Sequence, residues 1–406
     1  MRLDEGDGAL ESLLAPLSPD EFLGQTVAGG FRWLPGRGAD LPDLLGADPR
    51  ASLADAVHLA PRLTWHSANA LGPAPSLANV ADGSDFRARI EAFHAANYSV
   101  RFPELRPLSP PIDRVARALE ARLHQPVTAS AFWSRGGMRA PVHYDDHDLI
   151  VVQLFGEKRW YVSTAVSPLF NAWKGVDGNP PQLGEHEVIE MRPGDRLYLP
   201  RGTAHTVDSD HESVHLAFGF TPLTVREAVI AAIDHLSDLD RDLRATLSDR
   251  RLAAVGPRAL AAASRLLEAV RSPEFLFSAL QRRSARVVGD LDALPRADAA
   301  PSLDLDSEVV RAPGAFAHLT GNAETIDFAY PGGHLYIHRG AEAAVAFVAE
   351  RARFRPRDIP GDVDDQVRLA LVSRLLDVGY LVAASPTISR TRSRSAGLST
   401  STEASP

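Results

Sequence analysis

Between Val127 and Phe220, short runs of β-branched and aromatic residues alternate with turn signals such as Arg135-Gly136-Gly137 and Pro193-Gly194-Asp195. A period of two, punctuated by glycine and proline, predicts an all-β barrel or jelly roll. Ahead of it, Ile112, Val115, Ala116, Leu119 and Leu123 recur at helical spacing, which predicts an amphipathic helix over 111–123. Ser18-Pro19-Asp20-Glu21 places a capping residue, a proline at the first helical position and a glutamate three residues after the cap, so a helix starts there. From Gly29 to about Arg106 the apolar runs are short and broken, apart from a helical pattern near 86–97.

Beyond the barrel, Thr224-Val225-Arg226-Glu227 is a second capping box, and the Ala-, Leu- and Arg-rich stretch to about Leu280 has helical periodicity. Its apolar faces suit packing on the barrel and pairing with a second subunit equally well. Strand-like runs then flank Pro331-Gly332-Gly333, helical patterns follow at 341–353 and 364–377, and Gly379 stands as a C-cap before a strand at Tyr380-Leu381-Val382. Helix, helix, short strand predicts a winged-helix-like module. The fold expected is therefore mixed α and β. Residues 1–110 form an N-terminal α/β elaboration, 111–222 the jelly-roll core, 223–300 a helical connecting or dimerisation region and 301–384 the winged-helix-like domain. Residues 385–406, nearly all polar, are expected to be a disordered tail because they have too little apolar surface to offset the entropy of ordering.

Composition narrows the chemistry. The chain has 406 residues, enough for a core domain and smaller ones, and no cysteine. Disulfides, thiolate metal sites, Fe–S clusters and cysteine nucleophiles are excluded, which leaves His and carboxylates to hold a metal. No run approaches the roughly 18 apolar residues of a membrane span. The acidic start MRLDEGDGALESLL is unlike a secretory signal, so a cytoplasmic location is expected. A net charge of −9 argues against a whole-surface nucleic-acid footprint. Arg351, Arg353, Arg355 and Arg357 in the last domain are interleaved with Glu350 and Asp358, which argues against nucleic acid there too.

His143-Tyr144-Asp145 puts an imidazole and a carboxylate two residues apart, on one face of a strand. A third ligand is offered by His205, which follows an apolar strand and a Pro-Arg-Gly turn in GDRLYLPRGTAH. Two His and one carboxylate with open positions suit the facial triad of non-haem Fe(II) oxygenases. Zinc hydrolases also use such a set, but the helical His-Glu-x-x-His pattern is absent. A surface strand with polar residues would also carry His-x-Asp by chance.

HYDDHDLIVVQLFGEKRW, GDRLYLPRGTAH and SVHLAFGF, in that order, resemble the cupin-like JmjC oxygenases that include the ribosomal oxygenases. The resemblance covers roughly Ala129 to Phe220 and rests on His143, Asp145, Asp148, Gln153, Gly156, Lys158 and Trp160. It implies a double-stranded β-helix (cupin/JmjC jelly roll), with Fe(II) on His143, Asp145 and His205 and 2-oxoglutarate as cosubstrate. Lys158 stands where relatives pair a basic residue with the cosubstrate's distal carboxylate, and its strand parity, shared with Trp160 and opposite to Arg159, agrees. Arg201 and Arg196 are the next basic residues in line for that role. Some relatives place an Asn and a Tyr before the motif where this chain has Ser130 and Phe132. His215, inward on its strand, suits a cosubstrate contact or a core histidine, and Asp148 suits orienting the ligand strand. The activity implied is hydroxylation of a residue in a protein or peptide, ribosomal protein included, with N-methyl-lysine demethylation as a variant. The helical region and winged helix match the family's layout, a homodimer included. Two rivals remain: a non-catalytic metal-binding cupin that acts as a peptide-binding or assembly module, and a redox-neutral metal-dependent isomerase or hydrolase.

Overall fold

A computed structural model describes residues 5–26, 30–36, 43–168, 182–246, 252–296 and 302–384. The expected tail at 385–406 lies outside the described residues. The strands β1 (Arg32–Leu34), β2 (Thr64–His66), β3 (Ser99–Phe102), β4 (Val127–Ser134), β5 (Met138–Arg139), β6 (Asp148–Phe155), β7 (Lys158–Ser163), β8 (His186–Met191), β9 (Arg196–Leu199), β10 (His205–Ser209) and β11 (Ser213–Phe220) form two antiparallel sheets. One sheet runs β1-β9-β6-β11-β4-β3-β2 and the other β5-β10-β7-β8. The predicted barrel is present as these two facing sheets. The expected elaboration at 1–110 contributes three strands to the larger one.

Strand alternation sorts the side chains. In the larger sheet Val127, Ala129 and Ala131 of β4 and Val214, Leu216, Phe218 and Phe220 of β11 join a core with the helices α1 (Glu5–Leu14) and α5 (Pro110–Leu123). The intervening residues, Thr128, Ser130 and Phe132 together with His215, Ala217 and Gly219, face the interior between the sheets. Val151 and Leu197 meet Trp160, Val162, Ile189 and Met191 of the smaller sheet there.

The end signals read from the sequence act as expected. Ser18 and Glu21 cap α2 (Pro19–Thr26) reciprocally, and Thr224 with Glu227 does the same for α6 (Val225–Leu239). Between them lie α3 (Pro49–Ala54) and α4 (Gly83–Ala95), the latter on the pattern near 86–97. After α6 come α7 (Leu252–Ala269) and α8 (Pro273–Asp290). No helix among the described residues is long and apolar enough to cross a membrane.

The C-terminal region has strands β12 (Val309–Arg311), β13 (His318–Gly321), β14 (Thr325–Tyr330), β15 (Gly333–His338), β16 (Arg353–Phe354) and β17 (Leu381–Ala383), with α9 (Glu342–Glu350) and α10 (Asp365–Asp377). They make two three-stranded sheets, β16-β12-β17 and β13-β14-β15, around a separate apolar core. Two of its arginines are engaged locally: Arg353 pairs with Glu308 at 2.8 Å, and Arg357 pairs with Asp306. Arg117 of α5 joins this region to the barrel by donating to the carbonyl oxygens of Asp292 and Ala293.

Two polar groups are buried inside the first core. Glu120, 1% exposed, takes Arg106 at 2.6 Å and the backbone N–H of Val127, tying α5 to β4. His94, 3% exposed, donates Nε2–H to the Trp133 carbonyl at 3.2 Å, and burial pushes its pKa down to about 4. Its folded pKa lies below the unfolded value near 6.5, so the unfolded chain binds the extra proton. The neutral imidazole's contribution is whole above pH 6.5 and is lost as pH falls toward 4, by on the order of 3 kcal/mol. We expect His94→Asn to flatten the decline of stability between pH 7 and pH 4.5, measured by urea unfolding; an unchanged slope would show that His94 does not contribute to it.

Candidate metal centre

The two candidate histidine ligands are set by one backbone bridge. His143 and His205 exchange N–H···O=C bonds of 3.0 and 2.8 Å as an isolated antiparallel pair. Sequence parity placed His143 and Asp145 on a regular strand; instead β5 stops at Arg139, Ala140 still donates to the Val207 carbonyl at 2.9 Å, and after a break at Pro141 and Val142 the pairing with β10 resumes at His143. Pro141 is the physical reason, because it has no N–H to donate to the ladder. Asp145 follows outside any strand, its carbonyl oxygen accepting from Gly202 N–H at 2.8 Å. Gly202 has φ +82°, a left-handed conformation that suits glycine, and it closes the Pro200-Arg201-Gly202 turn that delivers His205.

The ligand atoms of His143, Asp145 and His205 lie within 4.8 Å of one another. His143 Nδ1 contacts the Pro141 carbonyl at 2.9 Å and His205 Nδ1 the Thr203 carbonyl at 2.9 Å. A carbonyl only accepts, so each Nδ1 carries the proton and each Nε2 presents a lone pair, the arrangement found in metal-bound histidines. His205 Nε2 stands 3.5 Å from the Asp145 carboxylate. Burial, aided by His143, holds His205 neutral, with a pKa of about 4. The donor set thus fits a divalent cation with no rearrangement of tautomers. Among the described residues it is the one such cluster.

A cavity of about 570 Å³ opens from the triad. Ser130, Trp160 and His215 line it, as do Arg101 and His66, which the sequence reading did not single out. Lys158 behaves differently from expectation. It is 2% exposed and lies behind the cavity wall, where Nζ reaches His215 Nδ1 at 2.8 Å and Ser134 Oγ at 3.1 Å. No carboxylate pairs with it among the described residues, and burial pushes its pKa down to about 7. In its ammonium form Lys158 only donates, so His215 Nδ1 then accepts and Nε2 carries the proton, with no hydrogen-bond partner in the described protein. His215 stacks on Phe132, with ring centres 4.8 Å apart and planes at 15°. The Trp160 indole N–H also lacks a partner. Donors left open around a cavity that a buried cation backs suit an anionic guest.

The remaining candidates support the site from outside. Asp148, 3% exposed, accepts from Tyr198 Oη at 2.6 Å, Arg201 N at 3.1 Å and Arg201 Nη1 at 3.2 Å, fixing the start of β6 to the turn before His205. That commits Arg201. Arg196 donates to the carbonyls of Leu13, Ala15 and Gly194, so neither alternative cation serves the cavity. Gln153 Nε2 holds the β6–β7 turn through the carbonyls of Phe155 and Gly156. His147 pairs with Asp146 at the cavity rim, and His211 is exposed. Ser130 accepts from Arg101 at 2.9 Å. Arg101 and His66 come from β3 and β2, strands of four and three residues, too short for a period to stand out.

Residues 108–228 match the JmjC domain family. Over 107 residues the chain is 30% identical to ribosomal oxygenase 2 of Rattus norvegicus, covering 25% of this chain and 23% of that protein. Over 79 residues it is 39% identical to the bifunctional lysine-specific demethylase and histidyl-hydroxylase NO66 of Drosophila willistoni, covering 18% of this chain and 10% of that protein. The chain thus spans less than a quarter of the length of these curated relatives. Its fold is similar to that of YcfD from Escherichia coli, with a TM-score of 0.56 at 18% identity, over 90% of this chain and 98% of that one. A second YcfD structure, described as a ribosomal oxygenase, gives a TM-score of 0.54 at 18% identity, over 91% and 99% of the two chains. The chain thus carries a match to the JmjC domain at 108–228, and over part of its length it is similar to ribosomal oxygenases.

Proposed function

We propose that this protein is an Fe(II)- and 2-oxoglutarate-dependent dioxygenase that hydroxylates a residue in a protein or peptide. One observation carries the reading: two imidazole Nε2 lone pairs and a carboxylate converge on a cavity that is backed by a buried ammonium with no carboxylate of its own. Three ligands on one side leave the other side of a metal open. A 2-oxo acid with a second carboxylate meets both the metal and the cation, whereas a hydrolase or a non-catalytic module has no use for Lys158.

When bound, iron and 2-oxoglutarate supply the oxidation that places one atom of dioxygen in a substrate C–H bond and the other in succinate, with release of carbon dioxide. The chain's residues hold and shield. His143, Asp145 and His205 bind the metal, and Asp148, through Arg201, keeps the His205 turn in place. His215 presents Nε2–H to the distal carboxylate with Lys158 behind it, and the anion in turn favours the ammonium form of Lys158. Ser130 stands on the cavity wall beside the cosubstrate. Trp160, Val151, Val207 and Ala217 wall the cavity with apolar surface that excludes water.

Similarity to the ribosomal oxygenases supports a ribosomal-protein side chain as substrate, hydroxylated at its β-carbon; N-methyl-lysine demethylation would begin with the same step. A homodimer through 223–300 is supported by the exposed Val225, Leu239, Leu260 and Leu267 on α6 and α7. The winged-helix-like reading of 301–384 is supported by α9, α10 and the small sheet β16-β12-β17.

Anaerobically purified protein given Fe(II), 2-oxoglutarate and then oxygen is expected to form succinate, and Asp145→Ala to form none; equal succinate from both would overturn the assigned site. Lys158→Ala is expected to weaken 2-oxoglutarate binding by roughly 30-fold or more, corresponding to about 2 kcal/mol for truncating one side of a buried charge pair. Fe(II) affinity should stay within about twofold. Titration by tryptophan fluorescence reads both, and an unchanged cosubstrate affinity would remove Lys158 from the site.

A further inference from the structure

We propose that Arg101 is a specificity-determining residue whose guanidinium, at the junction of the metal cavity and an outer groove, receives a carboxylate of an acidic peptide substrate. This rests on the oxygenase reading above and adds the charge of the substrate to it.

Arg101 lies on β3 between the buried Val100 and Phe102, in register with Phe132 of β4. Its side chain turns to the cavity face, where Nη2 donates to Ser130 Oγ at 2.9 Å and the guanidinium carbon stands 6.0 Å from the centre of the Phe132 ring. Both partners are neutral. Among the described residues no carboxylate comes within ion-pair distance of Arg101, in contrast to its neighbours. Arg106 is held by Asp113 and Glu120, Arg117 by Asp113, and Arg62 by Glu104. Arg106 and Arg117 line only the outer hollow, and Arg101, the one arginine lining the metal cavity among the described residues, is the one left open.

A second hollow, of about 1010 Å³, shares Arg101, Thr128 and Ser130 with the metal cavity. It runs outward past Pro103 and Pro107 to Asp292 and Pro295. Arg101 therefore stands where an extended chain lying in the groove would turn one residue inward toward the metal. The free carboxylate of the cosubstrate is assigned to His215 and Lys158, and its other carboxylate to the metal, so Arg101 has no cosubstrate oxygen to meet. His66, on the adjoining cavity wall, is kept neutral by burial, with a pKa of about 4, and offers no second charge. A planar guanidinium with its fork free matches a carboxylate in two-point contact, which selects Asp or Glu in the peptide over their amides.

The test uses the full chain with Mn(II) and 2-oxoglutarate under nitrogen, and two fluorescein-labelled degenerate nonapeptide pools. One pool fixes Asp or Glu at a position beside the centre, and the other fixes Asn or Gln there. Anisotropy is expected to show the acidic pool binding at least tenfold more tightly to wild type. Arg101→Gln should remove the preference, Arg101→Lys should keep part of it, and both should hold the 2-oxoglutarate Kd within twofold. Equal or absent binding of the two pools by wild type, or a preference that survives Arg101→Gln, would overturn the proposal. A tenfold weaker 2-oxoglutarate Kd in Arg101→Gln would overturn it too, by moving Arg101 to the cosubstrate. Failure of wild type to bind 2-oxoglutarate at all would instead remove the oxygenase reading on which it rests.

Discussion

The bridge between His143 and His205 is the constraint from which the site is built. Two ligands far apart in sequence are brought together by a reciprocal pair of backbone hydrogen bonds, so side-chain packing need not find their separation. The same bridge fixes which nitrogen each ring offers, because Pro141 and Thr203, each two residues upstream, turn their carbonyls onto Nδ1. The imidazoles are thus prepared for a cation by local chain geometry. Asp145 completes the set through Gly202, whose left-handed turn ties the two segments a second time.

Around this bridge the protein keeps polar groups in places that would be costly to leave empty. Lys158 has lost nearly all solvent and has only a hydroxyl and an imidazole for company. Burying a cation without an anion is unfavourable, and the lowered pKa of the lysine expresses that cost. Asp148, buried on the far side of the ligand turn, shows the opposite solution, since Tyr198 and Arg201 satisfy it fully. One charge is settled by the fold, and the other has no anion among the described residues, which the proposed cosubstrate would supply. That asymmetry separates two charges of equal burial.

Much of the fold was legible because its signals are local. The capping boxes at Ser18 and Thr224, the helix at 111–123 and the alternation along β4, β6 and β11 depend on neighbours in sequence. The triad was legible for the same reason, through its two-residue spacing and a glycine turn. Three features were not. The break at Pro141 replaces a regular strand by a bridge, an outcome set by pairing with β10 and not by residues 143–145 themselves. The position of Lys158 behind His215 depends on depth in the barrel, which parity does not encode. Arg101 and His66 belong to strands so short that three or four residues carry no readable period, and only their seats beside β4 bring them to the cavity.

The outer groove has one bank from the barrel, at Pro103 and Thr128, and the other from Asp292 to Pro295, a stretch pinned by Arg117 across the end of α5. The cluster of His143, Asp145 and His205 lies before Phe220, yet the far bank comes some seventy residues later. In the proposed reading, the groove that seats a substrate is thus shared between two stretches of one polypeptide, and changes in its far bank reshape it without touching the triad.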